Sequence, residues 1–179
     1  MADFAQGYRI QSGAREMAAA LSAIDLLSNS LFSEEDVPSP GCESSLPVSF
    51  FVDAAHAGHL FVAIELATEE PVGFSAVTRV DGGAHLFQVS VAPEHGRQGW
   101  GRGLVEAAIT WAREQGDSGI TLTTFSHLPW NAPFYAKLGF ERVEESAMGP
   151  GLRTCLEKEA RAGLDPAKRV AMRLSFRSS

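Results

Sequence analysis

The chain has 179 residues, of which 45% are hydrophobic and 21% are charged, a composition that excludes collagen-like, coiled-coil and wholly disordered proteins. Its formal net charge of −7 at pH 7 disfavours a protein that binds the nucleic-acid backbone, because such binding needs a surplus of Lys and Arg. We therefore predict a single domain over residues 1–179 with no nucleic-acid partner.

The cysteines and the apolar segments bear on the compartment. The chain has two cysteines, Cys42 and Cys155, which are far apart and show no paired spacing, so neither a disulfide framework nor a zinc site is indicated. No basic segment followed by a long apolar stretch opens the chain, and no window approaches the ~18 apolar residues of a membrane span. We expect a cytoplasmic protein without a membrane partner.

The first elements in chain order are predicted to be a helix and a loop. After a short start at 8–10, residues 14–32 carry apolar side chains at intervals of three and four, as in an amphipathic helix. These side chains are Met17, Leu21, Ile24, Leu27 and Leu31. Residues 33–49 contain three Pro, one Gly and five Ser but no basic residue, so we expect a flexible loop there.

Three strands are predicted next. The segments 60–66, 71–80 and 85–91 are rich in β-branched and aromatic residues. The last two are separated by Asp81-Gly82-Gly83, a strong hairpin signal. We therefore predict three sequential antiparallel strands.

The second half of the chain is predicted to alternate helices and strands. Residues 102–115 form an amphipathic helix that ends near Gly116, and 119–125 form a strand. A helix between two strands allows them to lie parallel through a crossover. The remaining predicted elements are a short helix at 131–138, a strand at 140–145, a helix at 152–162 and a last strand at 169–176.

A glycine-rich turn joins the third of these strands to the helix at 102–115. Gly99, Gly101 and Gly103 alternate along it. Glycine leaves room for a ligand, and the free N–H groups at the start of a helix favour an anion such as a pyrophosphate. Arg97 and Arg102 would add positive charge. A tight connection without a ligand would use glycine as well.

Two common phosphate-binding motifs do not match this turn. A P-loop needs Lys-Ser/Thr after its last glycine, and Leu104-Val105 stands there. A dinucleotide-binding fingerprint needs glycines at its first, third and sixth positions and an acidic residue after the next strand. The next strand ends instead in Thr123-Thr124-Phe125, so a dinucleotide-binding fold is disfavoured.

The residues of the turn resemble those of a known family. The stretch QGWGRG at 98–103, preceded by Val91-Ala92-Pro93, is similar to the Gln/Arg-x-x-Gly-x-Gly/Ala signature of the GCN5-related N-acetyltransferases (GNAT). The segment WNAPFYAKLGF at 130–140 is similar to that family's second mark. The resemblance covers about residues 85–143. It implies an α+β fold in which helices flank both faces of a mixed, mainly antiparallel sheet, with acetyl-CoA as co-substrate.

The resemblance also implies roles for individual residues. The main chain of two strand residues would pair with the pantetheine arm, the amides of the turn would receive the pyrophosphate, and an asparagine would hydrogen-bond the arm. These predicted cofactor-binding residues are Val89, Val91, Arg97, Gln98, Gly99, Trp100, Gly101, Arg102, Gly103 and Asn131. Tyr135 would be the general acid beside the thioester sulfur.

The sequence departs from the family pattern at the position of the general base. Where the family often has a glutamate on its fourth strand, this chain has Phe87 and Gln88, and neither can act as a base. Gln88 would orient a water or the substrate amine. The base would therefore be water-mediated or come from elsewhere. The candidates are His127 and Glu65, with an exposed loop histidine as the alternative reading of His127. The other histidines, His56, His59, His85 and His95, are expected at the surface, and no metal is implied.

The predicted function is transfer of an acetyl group from acetyl-CoA to a primary amine of a small molecule, by direct attack on the thioester. The loop at 33–49 would lie on the acceptor side. The alternatives are acetylation of a protein N-terminus or lysine, and a non-catalytic module that binds acyl-CoA. Fold does not determine the acceptor, and the sequence leaves open whether the chain forms a homodimer.

Overall fold

The computed structural model describes residues 3–4, 7–37 and 45–176. Cys42 and the middle of the loop predicted at 33–49 lie outside the described residues. The strands are β1 (Asp3–Phe4), β2 (Tyr8–Ser12), β3 (Leu60–Glu65), β4 (Pro71–Val80), β5 (Gly83–Val91), β6 (Gly119–Phe125), β7 (Glu141–Arg142) and β8 (Arg169–Ser175). The helices are α1 (Ala18–Asn29), α2 (Val48–His56), α3 (Trp100–Glu114), α4 (Ala132–Lys137) and α5 (Pro150–Arg161). Within these described ranges, no helix is long and apolar enough to cross a membrane.

The strands belong to one mixed sheet in the order β1-β2-β3-β4-β5-β6-β8-β7. Strands β5 and β6 pair in parallel, because α3 lies between them in the chain and supplies the crossover. The pairs β1/β2, β2/β3, β3/β4, β6/β8 and β7/β8 are antiparallel. The predicted α+β class with a mainly antiparallel mixed sheet is therefore confirmed.

The chain divides into two compact units, which are described separately below. The first unit comprises Met1–Phe32, Ser44–Thr78 and Leu86–Trp111. The second unit comprises Ser33–Glu43, Arg79–His85 and Ala112–Ser179. The single domain over 1–179 stays a prediction.

In the first unit, helices pack on both faces of the sheet. Successive side chains of a strand point to opposite faces. On β3, Leu60, Val62 and Ile64 belong to a core cluster with residues of α1 and α2. Ala63 instead belongs to a second cluster with Trp100 of α3. Helices on both faces of this part of the sheet are therefore confirmed.

Helix α2 is an element that the sequence does not predict. It occupies Val48–His56, partly inside the segment predicted as a loop. The helix has one buried residue, Phe51, whose ring meets Phe74 edge-on at 4.9 Å between centroids. Burying one such aromatic side chain contributes about 1.5–3 kcal/mol. Tertiary contact therefore stabilises a helix that is too short to show a clear periodic pattern.

The buried face of α1 differs from the predicted apolar stripe. Leu27 and Leu31 are 51% and 49% exposed, so their predicted burial is wrong. The buried residues of α1 are Ala18, Leu21, Ile24, Asp25 and Ser28. The spacing of three and four is that of an amphipathic helix, but two polar residues occupy the end of the face. Burying a carboxylate requires hydrogen-bond donors, which the structure supplies from outside the helix.

The hairpin between β4 and β5 is in the second unit and shows why the turn signal is strong. Asp81 and Gly82 have φ of 51° and 77°, as a two-residue type I′ turn requires. The Asp81 carboxylate accepts hydrogen bonds from the backbone N–H groups of Gly151 (2.7 Å) and Leu152 (2.9 Å). The turn residue therefore caps the first turn of α5.

We expect Asp81→Gly to lower the free energy of unfolding by about 1–2 kcal/mol, because glycine keeps the left-handed turn but removes the cap. Urea denaturation measures the change. Asp81→Asn is the matched control, since asparagine tolerates the same φ and still offers one acceptor, and its loss should be smaller. Equal stability of Asp81→Gly and the wild type would show that the cap contributes nothing.

Candidate active site

In the first unit, the glycine-rich turn is held in place by an aromatic pair. The turn enters α3 through two left-handed residues, Arg97 (φ 62°) and Gly99 (φ 89°). The ring of Trp100 stacks on Tyr8 of β2 with 4.4 Å between centroids, and the Tyr8 hydroxyl donates to the Gly99 carbonyl at 3.3 Å. Trp100 is 3% exposed. Its side chain thus belongs to the core, and only its backbone N–H can serve a ligand.

The backbone N–H groups of this turn are available to an anion. The Gly103 N–H donates to the Gly99 carbonyl at 3.1 Å. Among the residues that the structure describes, the N–H groups from Gln98 to Arg102 have no backbone acceptor. Unpaired N–H groups at the start of a 15-residue helix attract negative charge, an effect to which the helix dipole adds.

Gly101 leaves space that the protein itself does not use. Its φ lies outside the left-handed region, and a Cβ placed on it would approach only Val91 Cγ2, at 4.0 Å. Neither backbone conformation nor internal packing therefore demands glycine here, although glycine is a poorer helix former than alanine. A bound group that approaches the main chain closely would explain the residue.

The charged and polar side chains of the turn differ in how far they are engaged. Arg97 and Gln98 are exposed, and Gln98 Oε1 accepts from Trp100 Nε1 at 3.3 Å. Arg97 forms no ion pair with any described residue. Arg102 is paired with Glu106 of the same helix at 2.7 Å. Arg97 is therefore the arginine that is free to meet a phosphate, and Arg102 would have to leave its partner.

Val89 and Val91 lie on β5, which leads into the turn. Their side chains pack against the cluster that contains Trp100 and Leu104. The predicted pairing of their main chain with the cofactor arm stays a prediction.

Gln88 contacts a buried acid of α1 in the same unit. Its Nε2 donates to Asp25 Oδ1 at 3.0 Å and to Ser90 Oγ at 3.2 Å, and Ser90 Oγ donates to Asp25 Oδ1 at 2.9 Å. Asp25 Oδ2 accepts from the Leu46 N–H at 2.8 Å. Asp25 is 3% exposed. Sequence reasoning missed Asp25, and the signal available was one acid beside the apolar positions of the helix face.

In the second unit, Asn131 carries an unpartnered donor. The Thr124 hydroxyl donates to Asn131 Oδ1 at 2.7 Å, while Asn131 Nδ2 is buried without a partner among the described residues. Asn131 precedes α4 but its side chain makes no capping bond. An unsatisfied buried donor costs about 1–3 kcal/mol, and a ligand carbonyl would reach this nitrogen only if the Asn131 side chain or its neighbours moved.

Tyr135 of α4 has the properties of a proton donor. Its ring lies against Phe134 and Phe140, with centroids 5.1 and 5.7 Å away. Burial raises the pKa of Tyr135 to about 12, and the positive charge of Arg169 opposes this in part. No described residue is hydrogen-bonded to its hydroxyl. The phenol is thus protonated at neutral pH and free to donate.

The cation near Tyr135 is fixed by its own partners. The Arg169 guanidinium donates to both carboxylate oxygens of Glu159, at 2.9 and 3.0 Å, and lies 4.5 Å from the ring centroid of Phe125. The Arg169 side chain is only 11% exposed. It therefore belongs to a structured network of side chains.

His127 is paired with a buried acid. Its Nε2 lies 3.0 Å from Asp36 Oδ1, which also accepts from Lys168 Nζ at 2.9 Å. The hydrogen bond from Lys168 holds the pKa of Asp36 below its usual range. A neutral His127 that donates through Nε2 keeps its lone pair on Nδ1, and its side chain is 39% exposed. His127 is therefore engaged with Asp36, and its role as the base stays a prediction.

Glu65, the other candidate base, ends β3 in the first unit. It accepts from Thr68 Oγ1 at 2.8 Å and lies 3.8 Å from His95 Nδ1. The first contact ties it to the turn between β3 and β4, and the second to the segment between β5 and α3.

His85 is buried, so the expectation that it lies at the surface is wrong. It is 3% exposed, and its Nδ1 lies 2.9 Å from Thr121 Oγ1. Burial lowers the pKa of His85 to about 4, so the imidazole is neutral at neutral pH. It supports the sheet rather than the chemistry.

This burial predicts a loss of stability in acid. Between pH 6.5 and about 4 the unfolded chain binds a proton at His85 that the folded protein does not, so stability falls as the pH falls. We expect a loss of about 2–3 kcal/mol between about pH 7 and pH 4.5, measured by urea denaturation. His85→Gln should lack this part of the loss, whereas the exposed His56→Gln should retain it. Identical losses in His85→Gln and the wild type would contradict the assignment.

The comparisons with known proteins agree with this architecture. A model of the acetyltransferase (GNAT) family matches residues 26–140, more than half of the chain. The chain therefore belongs to the GNAT family of acetyltransferases, as the resemblance in its sequence indicated.

Several solved structures share the fold. The PaiA N-acetyltransferase of Thermoplasma acidophilum, solved with coenzyme A, is 15% identical at a TM-score of 0.67, with 94% of this chain and 99% of that chain covered. The putative acetyltransferase yncA of Salmonella typhimurium, solved with acetyl-CoA, is 17% identical at a TM-score of 0.67, covering 97% and 96%. The ribosomal-protein-S18-alanine N-acetyltransferase of Escherichia coli is 16% identical at a TM-score of 0.61, covering 96% of each chain. At such identities the likeness shows the fold.

Proposed function

We propose that this protein is an acetyl-CoA-dependent N-acetyltransferase that acetylates a primary amine of a small molecule. The observation that carries the proposal is the turn at Gln98–Arg102, where unpaired N–H groups open a long helix and Gly101 leaves room against the main chain. A diphosphate is an anion of the right kind for such a turn. The solved complexes of two structural neighbours with coenzyme A or acetyl-CoA support this choice.

The unsatisfied amide of Asn131 supports the same ligand. Its buried Nδ2 has no acceptor among the described residues, and the pantetheine arm of coenzyme A carries amide carbonyls. If the Asn131 side chain turned toward a bound arm, the arm would supply the missing acceptor and recover the cost of about 1–3 kcal/mol for a buried unpaired donor. We therefore assign Asn131 to the cofactor arm.

The reaction needs no covalent enzyme intermediate. The amine nitrogen attacks the thioester carbonyl, the new C–N bond forms, and the C–S bond breaks with its electron pair going to sulfur. The thiolate then takes a proton, and the amine gives one up. Alignment of the two substrates supplies a large part of the rate.

Tyr135 is the group that we assign to the departing sulfur. A thiol has a reference pKa of about 8.5, and that of Tyr135 is raised to about 12. Complete proton transfer from the phenol is therefore uphill, and its main contribution is a hydrogen bond to the developing thiolate.

The proton lost by the amine needs an acceptor. With an amine pKa of about 10.4, deprotonation at pH 7 costs roughly 4–5 kcal/mol. We assign the base to His127, since Asp36 accepts from its Nε2 and leaves Nδ1 with a lone pair in the neutral ring. Gln88 is not basic and is assigned to the acceptor amine.

The proposal is tested by calorimetry with acetyl-CoA and by thiol release with a panel of amines. The panel contains alkylamines, arylalkylamines, polyamines, amino acids and short peptides with a free N-terminus or a lysine. Turnover of small amines is the expected result. Turnover of peptides alone would identify a protein acetyltransferase, binding without turnover would identify an acyl-CoA-binding module, and absence of binding would overturn the proposal.

A further inference from the structure

Gln88 is held in one orientation by its neighbours in the first unit. A side-chain amide has one acceptor oxygen and one nitrogen with two donor protons. One Nε2 proton is directed to Asp25 Oδ1 (3.0 Å) and the other to Ser90 Oγ (3.2 Å). A carboxylate only accepts hydrogen bonds. Asp25 therefore excludes the flipped amide, in which Gln88 Oε1 would face Asp25 Oδ1.

The amide oxygen is left over by this arrangement. Gln88 Oε1 has no hydrogen-bond partner among the described residues, and it is absent from the buried atoms that lack one. It is therefore an acceptor that solvent or a ligand reaches. The strand that carries it, β5, runs on through Val91 into the glycine-rich turn of the same unit.

Asp25 itself has no cation beside it. Its three donors are the Gln88 amide, the Ser90 hydroxyl and the Leu46 backbone N–H, and no described Lys, Arg or His forms an ion pair with it. A buried charge of this kind is kept at a cost. A role of this charge in orienting Gln88 would explain why the free-energy cost of burying it is retained.

We propose that Asp25 is a positioning residue for acetyl transfer. It fixes the Gln88 amide so that Oε1 accepts a hydrogen bond from the N–H of the acceptor amine. The negative charge of Asp25, which accepts from Gln88 Nε2, polarises the amide and makes Oε1 a stronger acceptor for a cationic or N–H-rich group. This inference rests on the proposed function. It assigns Asp25 to acceptor binding and not to the binding of acetyl-CoA.

The test uses the full chain as wild type, Asp25→Asn, Gln88→Glu and the double variant. In Asp25→Asn the amide of Gln88 loses its fixed orientation, and we expect kcat/KM for the amine to fall about tenfold through KM for the amine, with KM for acetyl-CoA unchanged. Gln88→Glu places two carboxylates about 3 Å apart and should lose both stability and activity.

The double variant separates positioning from a merely structural role. It exchanges the two groups, so that an amide at position 25 donates to one oxygen of a carboxylate at position 88 and leaves the other oxygen as an acceptor. We therefore expect kcat/KM to recover at least about tenfold over Gln88→Glu. The exposed Asp53→Asn is the matched control for the loss of one carboxylate in the same unit and should match the wild type.

The outcomes distinguish the two claims. A wild-type protein that turns over no amine would overturn the proposed function and this inference with it. An active wild type with an unchanged KM for the amine in Asp25→Asn would overturn the inference alone. The inference alone would also be overturned if the KM values for the amine and for acetyl-CoA rose together in Asp25→Asn. A double variant that is stable but no more active than Gln88→Glu would overturn it as well.

Discussion

Replacing Gly101 with glutamate is expected to weaken the binding of acetyl-CoA by about 100-fold or more. The added carboxylate would stand among the N–H groups from Gln98 to Arg102 and repel the diphosphate. Loss of a charge-assisted contact of about 1.5–3 kcal/mol and the added repulsion both act in the same direction. Isothermal titration calorimetry gives the dissociation constant.

The same substitution should not harm the fold. A Cβ on Gly101 meets only Val91 Cγ2, at 4.0 Å. Glutamate is a better helix former than glycine by about 0.5–1 kcal/mol and is favoured in the first turn by the helix dipole. Thermal unfolding of Gly101→Glu should therefore match or exceed that of the wild type, although its ligand is lost. Higher thermal stability together with weaker binding of acetyl-CoA would indicate that Gly101 serves binding and not folding.

Two alanine variants complete the experiment. Gly101→Ala adds the Cβ without charge and should weaken binding by about tenfold, or about 1.4 kcal/mol. Gly83→Ala is the control, since its Cβ would meet only the Val80 carbonyl, at 3.9 Å, in the hairpin of the second unit, and it should bind as the wild type does. Normal binding by Gly101→Glu would remove the turn from the cofactor site and the proposed function with it.

Tyr135→Phe is expected to lower kcat by about 100-fold, the usual effect of removing one donor from a developing negative charge. The dissociation constant of acetyl-CoA should change by less than about threefold, because the hydroxyl acts on charge that appears only in the transition state. Steady-state and binding measurements separate these effects. Since burial raises the pKa of Tyr135 to about 12, ionisation of this group should not lower the rate below about pH 10.

The stability of Tyr135→Phe distinguishes chemistry from packing. The hydroxyl has no partner among the described residues, so its removal should leave the free energy of unfolding nearly unchanged. Phe134→Leu perturbs the neighbouring ring, 5.1 Å from Tyr135, without touching the hydroxyl, and should change kcat by less than about threefold. An unchanged kcat in Tyr135→Phe would show that the proton comes from another donor.

The elements predicted best from the sequence are those with local signals. The turn at Asp81 and Gly82 has the two left-handed residues that a type I′ hairpin needs, and β4 occupies the predicted 71–80. Strand β6 likewise matches the predicted 119–125. Alternation along a strand and turn chemistry are both legible within about ten residues.

The features that the sequence does not predict depend on residues that are distant in the chain. Helix α2 has a single buried side chain, Phe51, which meets Phe74 of β4. His85 carries no mark in the sequence that separates it from an exposed histidine such as His56. Its burial, and hence its lowered pKa, follows from the tertiary structure, in which β6 pairs beside it and Thr121 Oγ1 lies 2.9 Å from its Nδ1.

For the candidate site, the sequence by itself indicated the glycine-rich turn, Asn131 and Tyr135, because each lies in a short motif that resembles the family's and whose spacing is visible without the fold. Their roles stay predictions. Only the tertiary structure decided that Asp25 meets Gln88 across 63 positions of the chain, that Asp36 meets His127, and that Asn131 keeps a buried donor unpaired. The physical reason is that a helix start or a turn is governed by neighbours in sequence, whereas the hydrogen bonds of a buried charge are chosen by whatever the folded chain brings beside it.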